Sequence, residues 1–172
     1  MDYLSIGDKV IYPNQGIGII EDIQNQDLYG VESRVCSLRI VSNDALVLIP
    51  FSSVREMGIR KLASEDKVRK IYAFMRDGIV DVSKNWKGRH KEHEELMKTG
   101  SLLDLAFVLK SLYYLNLTKP LSFREKKMME KAKALLVSEI SEVIDVSKNE
   151  VEERVFKNLS LCFKDTAAQV DS

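Results

Sequence analysis

The chain has 172 residues, 45% of them hydrophobic, which is enough apolar material for one ordinary core or two small ones and excludes an intrinsically disordered polypeptide. Lys plus Arg and Asp plus Glu number 26 each, so no uniform basic or acidic field marks a partner. The charge is unevenly distributed, however: residues 84–134 hold 12 basic and 6 acidic side chains, whereas residues 135–172 hold 4 and 8.

From Lys9 to Phe51 short β-rich runs alternate with turn residues. Lys9–Tyr12 ends at Pro13-Asn14-Gln15-Gly16; Gly18–Ile23 is closed by Asn25-Gln26-Asp27. Tyr29-Gly30 turns the chain again, Ser33–Val41 forms a third strand, and Ala45–Ile49 a fourth before Pro50. Strands this short fold independently only by curling around one core, here expected to be Val10, Ile17, Ile19, Ile23, Val35, Leu38, Ile40, Val47 and Ile49.

From Ser64 onward the period is helical. Ser64 followed by Glu65 and Asp66 caps a helix to about Arg76, and Asp77-Gly78 breaks it. Ser83 or Asn85 caps a second helix through Met97, and Ser101 a third bearing Leu102, Leu105, Ala106, Leu109, Leu112 and Tyr113 as one apolar stripe. Ser122-Phe123-Arg124-Glu125 is a capping box that opens a fourth helix to about Val143, and a fifth follows Ser147. The expected organisation is α+β: a small antiparallel β-barrel over residues 1–60, an all-α domain of about five helices over 61–165, and a frayed end over 166–172.

The run Asn85-Trp86-Lys87-Gly88-Arg89-His90-Lys91, with Lys84 before it, holds the sole tryptophan among cations. Such a ring stacks on or wedges between bases while the cations hold phosphates, or it packs in the core above a solvated face; both readings fit the run alone. Little else suggests chemistry. His90 and His93 lie three apart in a charged run that reads as a solvated helix face, with no further His or Cys near. Gly16-Ile17-Gly18 enters a strand, unlike a dinucleotide or phosphate loop, and Met128-Met129 reads as core filler. Cys36 and Cys162 read as separate buried thiols. No enzyme activity, cofactor or metal is expected, and the lack of a leader pattern or an apolar span predicts a soluble, cytoplasmic protein.

Gly7-Asp8-Lys9-Val10-Ile11-Tyr12-Pro13 with Gly16 and Gly18 resembles the opening of the CarD/CdnL family of bacterial RNA-polymerase-binding transcription regulators, an opening shared with the polymerase-interacting module of transcription-repair coupling factors. Asn85-Trp86-x-x-Arg89-x-Lys91, Gly100 and Leu121-Ser122-x-x-Glu125-Lys126-x-Met128 resemble that family's helical half, in order and at the right spacing. The resemblance implies a Tudor-like barrel that docks on the polymerase β subunit by strand pairing, and a helical domain held against promoter double-stranded DNA at the upstream edge of the bubble. It implies a minor-groove wedge role for Trp86 and backbone contacts for Arg89 and Lys91; Lys84, Lys87, Lys126 and Lys127 join them on charge and placement. Many members carry a cation where this chain has Gln26, and often a second beside Arg89 where it has Gly88. Polymerase contact is accordingly assigned to Arg34 and Arg39, with Gln26 and Leu48. The alternative is a polymerase adaptor whose helical domain binds another protein rather than DNA.

Overall fold

The computed structural model describes residues 3–80 and 86–164, and of Trp86 the backbone alone. Lys84, the expected caps Ser83 and Asn85, the Trp86 ring and the expected frayed end therefore lie outside the described residues. The chain divides into two compact units, Met1–Leu62 and Ala63–Ser172, each around its own hydrophobic core.

The first unit contains β1 (Lys9–Tyr12), β2 (Gly16–Leu28), β3 (Val31–Ile40), β4 (Leu46–Pro50), a short 3-10 turn at Phe51–Ser53 and β5 (Arg60–Lys61). Every pairing is antiparallel and the order is β4-β3-β2-β1-β5, so the Tudor-like sheet is open, with β4 and β5 at its two ends. It closes on Leu4, Val10, Ile20, Cys36, Leu38, Ile40, Ile49, Val54 and Ile59.

Two local expectations change here. β2 does not stop at Asn25-Gln26-Asp27, because these residues pair with Arg34, Ser33 and Glu32 of β3, and the ladder overrides their turn preference. The turn falls on Tyr29-Gly30 alone, flanked by the pair Leu28↔Val31, with φ of 57° and 82°: a two-residue type I′ hairpin. The second change is the inward face of β2. Directly opposed residues share a face, and β1 pairs the fully buried Val10 with Gly18, so Gly18 and Ile20 point inward while Ile17 and Ile19 stay half-buried. Gly18 is required there because the Leu38 side chain occupies the space: a Cβ would lie 2.8 Å from Leu38 Cδ1.

The second unit contains α1 (Glu65–Asp77), α2 (Trp86–Met97), α3 (Leu102–Thr118), α4 (Phe123–Ile144) and α5 (Lys148–Cys162). Ser64, Ser101, Ser122 and Ser147 each accept the backbone N–H three residues on, caps that stabilise a helix start by ~1 kcal/mol apiece. The central element is α3, packed against α1, α2 and α4, while α5 closes over α1 and α4. Its burial is wider than one stripe, since Val108, Lys110 and Ser111 are enclosed as well. The Lys110 ammonium donates to the carbonyls of Phe74, at 2.5 Å, and Gly78, and lies 4.8 Å from the Phe74 ring centroid. It thus serves the electronegative C-terminus of α1, which is where a buried cation is best tolerated. Glu139, also buried, accepts the Ala63 N–H at 3.0 Å and fixes the chain as it enters α1.

The Gly18–Leu38 contact makes a direct prediction. Gly18→Ala should destabilise the first unit by roughly 1–3 kcal/mol through overpacking. Hydrogen exchange should then quicken at the β2 and β3 amides and stay unchanged in the helices; unaltered β2 protection would contradict the packing described.

Candidate nucleic-acid interface and polymerase edge

In the helical unit, the surface expected to meet DNA is organised from beneath by α2. Arg89, His93 and Met97 recur at four-residue spacing and are all buried, so one stripe of α2 faces inward and Lys87, Lys91 and Lys98 are left outside. Arg89 was expected at the phosphate backbone, and here the structure corrects the reading. Its guanidinium donates to Glu125 Oε1 at 2.8 Å, with side-chain exposures of 3% and 6% for the two partners. The guanidinium is thus turned onto Glu125 inside the unit rather than presented to solvent.

Glu125 does two things at once. Its second carboxylate oxygen accepts the Ser122 N–H at 3.1 Å while Ser122 Oγ accepts the Glu125 N–H at 3.2 Å, completing the capping box of α4. Burial alone would raise its pKa, but the Arg89 guanidinium and the Ser122 donors outweigh that and hold the carboxyl below its usual range. One side chain therefore starts α4 and anchors α2.

The histidines also differ from a solvated face. His93 is 3% exposed and meets the Phe107 ring edge-on, with centroids 6.3 Å apart. Burial, then the neighbouring Arg89 charge, lowers its pKa from 6.5 to about 4, so it is a neutral packing group. His90 Nε2 lies 3.0 Å from Glu94 Oε1. Among the described residues no cluster of three or more His, Cys, Asp or Glu could hold a metal ion, and Cys36 and Cys162 are separate free thiols.

The Arg89–Glu125 contact joins two cationic segments. Lys87 and Lys91 flank one partner, and Lys126 and Lys127 follow the other; all four are exposed. Phe123, the first residue of α4, is 71% exposed with Lys127 Nζ 4.5 Å above its ring. The sequence reading missed this second ring, although the Phe123/Lys127 spacing of four within a helix is the signal that could have found it.

In the β unit, the residues assigned to the polymerase lie apart in role. Leu48 is 56% exposed on β4, an edge strand on which Leu46, 48% exposed, and Pro50 also face outward, while Ile49 of the same strand is buried. Arg39 forks onto Glu21 at 2.9 and 3.2 Å and donates to the Asp44 carbonyl, which holds it flat on the sheet beside Leu46, its partner in register. Arg34 stacks over Phe51 at 4.5 Å, and Gln26 is half-buried opposite Ser33. The exposed feature common to this side is the apolar β4 edge rather than a cation.

Fold and surface together define a two-module α+β protein: a small open sheet with an apolar edge strand, and a helical bundle with a cationic corner. Residues 70–156 match the family described as CarD, C-terminal domain, and residues 4–63 match the CarD-like/TRCF RID domain. A protein of Bacillus subtilis (strain 168), "Putative transcription factor YdeB", is 28% identical over 146 residues, covering 85% of this chain and 95% of the relative. The solution NMR structure of the 72-residue N-terminal domain of Myxococcus xanthus CarD is 33% identical, with a TM-score of 0.30, over 34% of this chain and 77% of that domain. The chain belongs to the CarD family, which makes it a transcription-associated, RNA-polymerase-interacting regulator. No helix among the described residues is long and apolar enough to cross a membrane.

Two predictions follow from the buried anchor. Arg89→Met strands the Glu125 carboxylate and should cost about 3–5 kcal/mol, whereas adding Glu125→Gln should recover part of the loss; equal losses in the single and double variants would sink the paired-charge account. The His93 imidazole protonates near 6.5 in the unfolded chain and only near 4 in the fold. Its contribution is complete above that upper value and should fall by ~3 kcal/mol as the pH drops through the interval. His93→Phe should flatten this acid limb in a pH series of urea melts.

Proposed function

We propose that the β unit docks on the RNA polymerase β subunit through the β4 edge and that the helical unit holds promoter DNA at the upstream end of the transcription bubble. Leu46 and Leu48 supply the apolar side chains for added-strand pairing at that edge. Lys87, Lys91, Lys126 and Lys127 hold phosphates, Lys84 joins them from just upstream, and the indole of Trp86 enters the minor groove as a wedge. The observation that carries this reading is the cationic corner itself, four exposed lysines and an exposed phenyl ring set around one buried ion pair. A wedge at the junction of paired and melted DNA slows bubble collapse because it binds that junction better than closed duplex. In a complex so arranged, DNA is read through phosphate and groove shape, so affinity is sequence-tolerant and falls steeply with salt.

Trp86→Ala should leave the unfolding midpoint near wild type while shortening open-complex lifetime on a promoter, followed by heparin challenge. A lifetime equal to wild type would sink the wedge. Lys126→Gln with Lys127→Gln should weaken DNA binding and lower the log–log salt slope by about 2. Unchanged footprint protection at the upstream bubble edge would instead favour an adaptor that binds a second protein.

A further inference from the structure

Among the described residues, four other than glycine have positive φ: Asn14, Tyr29, Asp44 and Asp145. Asn and Asp enter this left-handed region readily because their short polar side chains bond locally; a bulky aromatic does not. Tyr29 stands at the first central position of the β2–β3 hairpin, where Asn or Gly would serve the turn better. Its ring is fully exposed, at 104%, so no packing within the unit compensates. The adjacent ladder carries a second local conflict: Asp27 and Glu32 are direct cross-strand partners of like charge. Val31, beside them, is 63% exposed. Two unfavourable choices and two exposed apolar groups thus meet at one hairpin tip, while the turn itself is well made, with Gly30 N–H donating to Asp27 Oδ1 at 2.7 Å. Departures from local preference gathered on an exposed tip are the mark of a surface kept for a partner.

The chemistry of that partner can be read from the tip. Two carboxylates flanking the ring repel phosphates, which argues against nucleic acid or an anionic membrane and for a protein pocket that is apolar within and cationic at its rim. The place of the tip points the same way. β4 pairs with β3 only as far as Val35↔Pro50, and β3 runs on past it to Val31, so the tip extends beyond the end of the edge strand on the same side of the sheet. We propose that the β2–β3 hairpin tip inserts Tyr29 into a cation-rimmed apolar pocket on RNA polymerase, a second anchor beyond the β4 edge. This rests on the polymerase-interacting reading of the β unit.

The test uses the full chain and purified RNA polymerase, with binding measured by biolayer interferometry and stability by thermal unfolding. Tyr29→Asn suits the turn better than the native residue, so its unfolding midpoint should rise or hold while the dissociation constant increases at least about tenfold, as for loss of a central aromatic anchor. Tyr29→Phe should bind within about threefold of wild type, and Glu32→Gln should slow association and flatten its salt dependence. Undiminished binding by Tyr29→Asn, with the wild type bound, overturns the proposal and leaves the polymerase reading standing. A loss of affinity that comes with a lowered midpoint, or an equal loss in Tyr29→Phe, overturns it as well. A wild-type chain that does not bind the polymerase overturns the underlying reading.

Discussion

The corner of the helical unit depends on an ion pair that is almost wholly removed from water. Burying Arg89 and Glu125 carries a desolvation cost of several kcal/mol per ion, offset only when geometry is good and the remaining lone pairs are satisfied. On the carboxylate side both conditions are met: the guanidinium contacts one oxygen at 2.8 Å, the Ser122 N–H the other, and the carboxylate lies at the electropositive start of α4. The partners are 36 residues apart in sequence, so the pair converts a local capping motif into a tertiary clamp. Its consequence is pre-organisation. The lysine-bearing segments of two helices are held in one fixed backbone arrangement.

The same logic recurs through the helical core. α3 is enclosed along most of its length, and buried side chains reach from the core to backbone groups at the ends of its neighbours. Buried charges take over that task. Lys110 serves the last carbonyls of α1, Glu139 the Ala63 N–H at its entrance, and Glu125 the first turn of α4. Each charge has the sign that the adjoining helix end prefers, so they relieve strain in the interior rather than create it.

This pattern also marks what could be read from sequence. Helix starts were legible because a cap is a local event: Ser64, Ser101, Ser122 and Ser147 each do what their context announces, and the Ser122–Glu125 box needs four residues to be recognised. Strand pairing was less so. Nothing within Asn25-Gln26-Asp27 says that Arg34, Ser33 and Glu32 will hold it extended, and the inward face of β2 is set by Val10 across the ladder. The site was least legible where a polar residue is buried. Arg89 and His93 have the composition of a solvated face, and only Glu125 and Phe107, distant in sequence, decide otherwise. That Lys126 and Lys127 are exposed follows from charge and placement in the sequence, whereas Lys91 is singled out through the family resemblance.

Where the molecule tolerates conflict follows from the same energetics. An unmatched charge in the core would cost several kcal/mol, a large share of the total stability of a domain, and every interior ion named above is met by a counter-charge or a backbone group. At the β2–β3 tip a left-handed tyrosine costs on the order of 1–3 kcal/mol, confined to one residue, and a facing pair of carboxylates about 1 kcal/mol or less because water screens the charges. The unit's buried core, which on this hairpin is Ile20, Cys36, Leu38 and Ile40, does not reach that far, so the conflict is decoupled from the packing that keeps the sheet folded. A small domain can therefore hold a locally unfavourable feature at such a distance from its core. The length of the β2–β3 ladder, rather than any property of the tip itself, is what makes the tip possible.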